Sequence, residues 1–226
     1  MAFNDQQTVE DLDSLRDLEV QGKQILFYGK RNNGKTTAIQ EAVLPRFTHF
    51  VYDTAHEYES PYYSGDKPPA RYVPTIRHGK SKEGREELNT AMDKLVLSNP
   101  DKWELVVTTE INRFTSARGD LPRSLMDLND WCGDNHMDLG WVMDFRRPAQ
   151  VHGDLKALAQ FHVIFNLTAS VDLDWIADEI HDDLDEDEFK DTVKNLDGGE
   201  YVILDSNGHY KKYDRLDLEN HPDWYP

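Results

Sequence analysis

Residues 24–36 read QILFYGKRNNGKT, a hydrophobic run that breaks into a glycine loop and ends in lysine and threonine. The apolar stretch 24–28 has the length and composition of a buried strand. Residues 29–36 then satisfy G-x-x-x-x-G-K-[ST] at every fixed position. Gly29 and Gly34 allow the backbone to curl, so that N–H groups, those of Asn32 and Asn33 among them, can point at an anion. In such a loop Lys35 neutralises β- and γ-phosphate oxygens and the Thr36 hydroxyl binds Mg²⁺, with Thr37 completing the set at the start of the next helix. The pattern therefore predicts ATP and Mg²⁺ as ligands. The context agrees, because residues 36–44 carry a helical pattern that Pro45 should stop.

Working outward, the chain alternates strand-like and helix-like stretches. Leu12, Leu15 and Leu18 predict a short amphipathic helix within a lead-in segment, residues 1–20. Strands are expected at 49–53 (HFVYD), 103–109 (WELVVTT), 139–145 (LGWVMDF) and 161–167 (FHVIFNL). Helices are expected at 83–98, 121–131 and 154–160, with an irregular Tyr/Pro/Gly-rich loop at 59–74. Residues 201–204 and 209–213 flank Asn207-Gly208, a hairpin signal whose two central residues favour positive φ. The alternation predicts an α/β fold, a mostly parallel sheet with helices on both faces and a C-terminal β-hairpin (201–213), all in one domain spanning 1–226.

Composition narrows the classes. The chain has 226 residues, with 25 basic against 43 acidic side chains, a net charge of -18. That balance repels nucleic acid at long range and excludes a static DNA-binding protein of the ordinary kind. The acids are 28 Asp and 15 Glu spread along the whole chain, which we read as adaptation to high salt rather than as one solvated face. No stretch approaches the roughly 20 apolar residues of a membrane span. The polar, acidic residues 1–10 predict no secretory signal. The single cysteine, Cys132, excludes an internal disulfide and suits a reducing setting.

A phosphate loop that hydrolyses its ligand needs an acid at a neighbouring strand end. Glu110 directly follows the strand 103–109 and is the candidate general base or water-positioning group. Thr109 stands where an Asp is usual, and its hydroxyl could still hydrogen-bond a metal-bound water. Arg146 and Arg147 follow the strand ending at Phe145, where ligands bind in open α/β sheets.

These features in order, with VYDTAHEY (51–58), LVVTTE (105–110), RRPAQVHGDL (146–155), HVIFNL (162–167) and GGEYVILDSNG (198–208), resemble the FtsK–HerA superfamily of DNA-pumping ATPases. Within it, the compact length and the RRPAQ block most resemble the genome-packaging ATPases of membrane-containing icosahedral viruses. The resemblance implies a RecA-like core and a homo-oligomeric ring, usually a hexamer, around double-stranded DNA. It also implies capsid or membrane-vertex partners and a location at the virion packaging vertex and in the host cytoplasm. It places Arg146 where the family often has a sensor Gln and makes Arg147 a candidate for γ-phosphate contact. Arg113, Arg118 and Arg123 are rival arginine fingers. Two basic islands, 77–85 with Arg77, Lys80, Lys82 and Arg85, and 113–123 with Arg113, Arg118 and Arg123, are candidates for phosphate contacts in a pore. A cellular or plasmid translocase of the same superfamily, a small-molecule kinase and a non-enzymatic assembly factor are the alternatives.

Overall fold

A computed structural model describes residues 7–58, 70–76, 79–133 and 137–217. Arg77 and most of the predicted loop 59–74 lie outside the described residues. Among the described residues, eight strands form one sheet in the order β3-β2-β4-β5-β1-β6-β7-β8. β1 (Gln24–Tyr28), β2 (His49–Tyr52), β3 (Ala70–Tyr72), β4 (Leu105–Thr108), β5 (Gly140–Phe145) and β6 (Phe161–Ile164) are parallel. β7 (Tyr201–Asp205) and β8 (Tyr210–Tyr213) close the sheet as an antiparallel hairpin. The expected architecture is thus observed. Among the described residues, no helix is long and apolar enough to cross a membrane.

Each central strand is buried on both faces, which is why these strands read as continuous apolar runs. On β1, Leu26 and Tyr28 face one layer while Ile25 and Phe27 face the other. The first layer holds α2 (Lys82–Met92), α3 (Arg123–Gly133), α4 (Gly153–Ala157), α5 (Ser170–Ala177) and α6 (Glu186–Lys194). The second holds α1 (Lys35–Ala38) with its continuation, and the N-terminal segment. Cys132 is buried in the first layer, where burial pushes its thiol up to about 12, so it is inert packing.

Four local expectations are corrected. The lead-in is two 3₁₀ turns (Val9–Asp11 and Leu15–Asp17), because Asp11 and Asp17 fold back onto the caps at Thr8 and Ser14 and end each turn at once. Leu12, Leu15 and Leu18 are nonetheless buried. The helix after the phosphate loop changes pitch, from α1 to a π turn (Ile39–Val43) and then a 3₁₀ turn (Leu44–Arg46) that takes Pro45 into its first turn. The predicted loop 59–74 contains β3. In the hairpin turn only Gly208 has positive φ, and Asp205 Oδ1 accepts from the Asn207 and His209 amides instead. α5 and α6 were not anticipated.

The hairpin and the N-terminal segment hold each other. Tyr213 donates to the Val9 carbonyl at 3.0 Å, Leu15 N–H donates to the Tyr201 hydroxyl at 3.0 Å, and Lys211 donates to the Leu12 carbonyl at 2.7 Å.

His162 on β6 is buried beneath this sheet, with the Tyr28 hydroxyl 3.0 Å from its Nδ1. Burial, with Lys156 nearby, lowers its imidazole to about 3, so it is neutral in the fold. The unfolded chain takes up that proton near pH 6.5 and the native state does not. Stability from this group is therefore full above about pH 6.5 and falls by about 1.4 kcal/mol per pH unit below it. Urea midpoints measured from pH 7 to 4 should fall less steeply for His162→Gln than for the parent. Equal slopes would show that His162 is not the group responsible.

Candidate nucleotide site

β1 lies between β5 and β6, where the order of strands reverses, so a crevice opens at the carboxyl ends of the strands. The loop leaving β1 fills one wall. Gly29 has φ +150° and a Cβ there would sit 2.7 Å from the Cβ of Phe165, so both conformation and space require glycine. Gly34 has φ +98° and Asn32 φ 64°, and the loop ends where α1 begins. Asn33 fixes the loop to the segment just after β6 by donating to the Asn166 carbonyl at 3.2 Å. The Lys35 ammonium donates to the Gly29 and Lys30 carbonyls at 2.7 and 3.2 Å, which holds it over the loop mouth.

A cavity of about 650 Å³ lies in front of this loop. Gly34 to Thr37 line one side, and Glu57, Glu110, Asp144 and Arg146 line the other. A second hollow of about 360 Å³ shares Asn32, Asn33, Gly34 and Thr37 and is floored by Phe165, Gly198 and Gly199 beside Arg215. The first is lined by charge, while the second offers a ring and flat backbone.

Glu110 enters the cavity through an uncommon turn. β4 ends at Thr108, and Glu110 takes a left-handed conformation (φ 43°, ψ 46°) that opens a 3₁₀ turn (Ile111–Arg113). Its carboxylate is buried and forms ion pairs with Arg113 and Arg146. Arg113 also donates to the Thr54 carbonyl at 3.2 Å. Glu110 is thus neutralised by one arginine from each of the two sequence blocks that follow it.

Thr109 is not brought to the cavity. Its Oγ1 accepts from the Thr54 amide at 2.8 Å, and its carbonyl accepts from the Thr54 hydroxyl at 2.7 Å, which ties the ends of β4 and β2 together. Arg147 is also held elsewhere, with its Nε 3.0 Å from the buried carboxylate of Asp172 on α5. Arg123 pairs with Asp93 and Asp127 on an exposed face. Arg118, Lys80 and Lys82 are exposed, with Lys82 3.8 Å from Glu86. The two basic islands do meet, because Gly79 packs so tightly on Phe114 that a Cβ would lie 2.6 Å from its ring.

Four residues around the cavity had no assigned role from sequence. Glu57 accepts from the Thr36 hydroxyl at 2.8 Å. Asp53, fully buried after β2, accepts from the amides of Glu57 and Tyr58 at 3.2 and 3.1 Å and from Arg71 at 2.6 Å, so it shapes the turn that presents Glu57. His56 in that turn takes φ 57°. Asp144 on β5 is buried, lines the cavity, and has an Oδ1 without a hydrogen-bond partner. Burial pushes it up to about 6, with Lys35 and Arg146 opposing and Glu110 and Glu57 adding to the rise. The visible signal for Asp144 is a lone acid inside the apolar run GWVMDF.

No family model matches the chain, and no curated protein does so. Solved structures do. The genome packaging NTPase B204 from Sulfolobus turreted icosahedral virus 2, in complex with ATP-gammaS, superposes with a TM-score of 0.66 at 15% identity over 86% of this chain and 98% of that one. B204, the DNA-packaging ATPase from Sulfolobus Turreted Icosahedral Virus, gives 0.66 at 17% identity over 87% and 99%. EssC (ATPases 2 and 3) from Geobacillus thermodenitrificans gives 0.50 at 14% identity over 88% of this chain and 41% of that one. At such identities the likeness is one of fold, that of the P-loop NTPases.

Asp53→Asn should cost about 1.5–3 kcal/mol, since it weakens charge-assisted hydrogen bonds in a buried setting. Hydrogen exchange at the Glu57 and Tyr58 amides should quicken with it. Unchanged exchange would show that Asp53 does not hold this turn.

Proposed function

We infer that this chain is an ATP-hydrolysing motor of the FtsK–HerA type that moves double-stranded DNA into a viral capsid. The observation that carries the reading is the juxtaposition of the phosphate loop, Glu110 and Arg146 around one cavity, with an arginine of the basic island bonded to the same Glu110. The fold shared with two viral packaging enzymes supports it.

In this reading the loop amides and Lys35 hold the β- and γ-phosphates, and Arg146 reaches the γ-phosphate from across the cavity. The base and ribose occupy the hollow beside Phe165 and Gly199. Glu110 accepts a proton from the attacking water as its oxygen bonds to the γ-phosphorus and the bond to the β–γ bridging oxygen breaks, leaving ADP and phosphate. A divalent cation suits the hard oxygens of Thr36 and its neighbours, and Mg²⁺ bound there would offset charge on the phosphate oxygens.

Glu110 cannot act as a base while both arginines neutralise it. DNA supplies a competitor: a phosphate that draws Arg113 away frees the carboxylate, which couples hydrolysis to the track. Arg118, Lys80 and Lys82 extend the same basic region. A ring, taken as a hexamer, would enclose the DNA and keep such weak contacts useful in concentrated salt, where counterion release favours dissociation. The acidic surface fits that setting.

Lys35→Ala should abolish nucleotide binding, whereas Glu110→Gln should bind ATP and lose turnover by about 10²-fold or more. An active Glu110→Gln protein would remove the base assignment. Arg113→Gln should raise ATP turnover without DNA and flatten its stimulation by DNA, read across a salt series alongside particle size. DNA stimulation left intact would remove the coupling.

A further inference from the structure

The end of β4 offers the cavity little to hold a cation. Thr109 spends its hydroxyl on Thr54, and Glu110 is committed to two arginines. One strand nearer the phosphate loop, the geometry differs. Asp144 on β5 pairs in register with Phe27 on β1, which places it beside the strand that launches the loop. Its side chain is 3% exposed and shares the cavity with Lys35, Thr36 and Glu57. One carboxylate oxygen has no partner among the described residues. A buried carboxylate with an idle oxygen is costly, and a cation facing it removes the cost.

We propose that Asp144 is the carboxylate that retains the divalent cation of a bound nucleotide, doing from β5 what an acid at position 109 would do from β4. The donors that line this cavity near the loop are hard oxygens: Thr36 Oγ1, the Glu57 carboxylate bonded to it at 2.8 Å, and Asp144. Mg²⁺ suits this set, since it keeps several waters and takes one or two carboxylates together with phosphate oxygens. Among the described residues no group of three or more His, Cys, Asp or Glu could hold a metal unaided. Two protein carboxylates leave the rest of an octahedral shell to water and phosphate oxygens, so the cation enters with the nucleotide. Without phosphate oxygens the protein has too few ligands to keep it.

The inference rests on the nucleotide-binding reading, and the test separates the two. Mn²⁺ binding is followed by electron paramagnetic resonance with and without a non-hydrolysable ATP analogue, and analogue binding is measured separately in EDTA. The parent should bind Mn²⁺ tightly only with the analogue present. Asp144→Asn should lower Mn²⁺ affinity of that complex by about 10–100-fold, while analogue binding in EDTA stays equal or tightens. Asp144→Ser, with a smaller neutral side chain, serves if the Asn variant does not fold. Unchanged Mn²⁺ affinity in the folded variant would overturn the role of Asp144. A parent that binds no analogue either with Mn²⁺ or in EDTA would instead overturn the nucleotide reading itself.

Discussion

The arrangement of this site follows from a conflict of charge. The cavity that would receive a polyphosphate already contains Glu57, Glu110 and Asp144. Two like charges 4 Å apart repel by about 4 kcal/mol at the effective dielectric of a protein surface. Three such acids would exclude the ligand unless each had an assigned counter-group. Glu110 has Arg113 and Arg146, and Glu57 has the Thr36 hydroxyl. Asp144 faces Lys35 electrostatically but keeps an idle oxygen. Lys35 must serve both the loop carbonyls and any incoming phosphate, so its charge is shared.

Much of this architecture was legible because the central strands are buried on both faces and the phosphate loop is constrained by space. β1 begins and ends where its apolar run does, and Gly29 is dictated by contact with Phe165. Elements governed by local side-chain hydrogen bonds were harder to read. Leucines at helical spacing in the lead-in are also the spacing of two successive 3₁₀ turns, and Asp11 and Asp17 decide between them by closing each cap. α6 was hard to read because its first turn is all acidic and two residues, Phe189 and Val193, carry its buried face.

The site shows the same division. The loop residues and Glu110 could be placed from motif spacing, since chain neighbours determine them. Asp144 comes from β5 and Glu57 from the turn after β2, so only the sheet order brings them to one cavity. Thr109 and Arg147 point the same lesson in reverse. Adjacent to functional residues in sequence, they are turned by strand ends toward Thr54 and Asp172 instead.

Among the described residues, the two terminal strands of the sheet are short and carry tethered basic residues. β3 has three residues, with Arg71 drawn onto Asp53, and β8 has four, with Lys211 fixed to the Leu12 carbonyl and Lys212 2.9 Å from Glu200. Such margins resist being lengthened by a strand from a second copy.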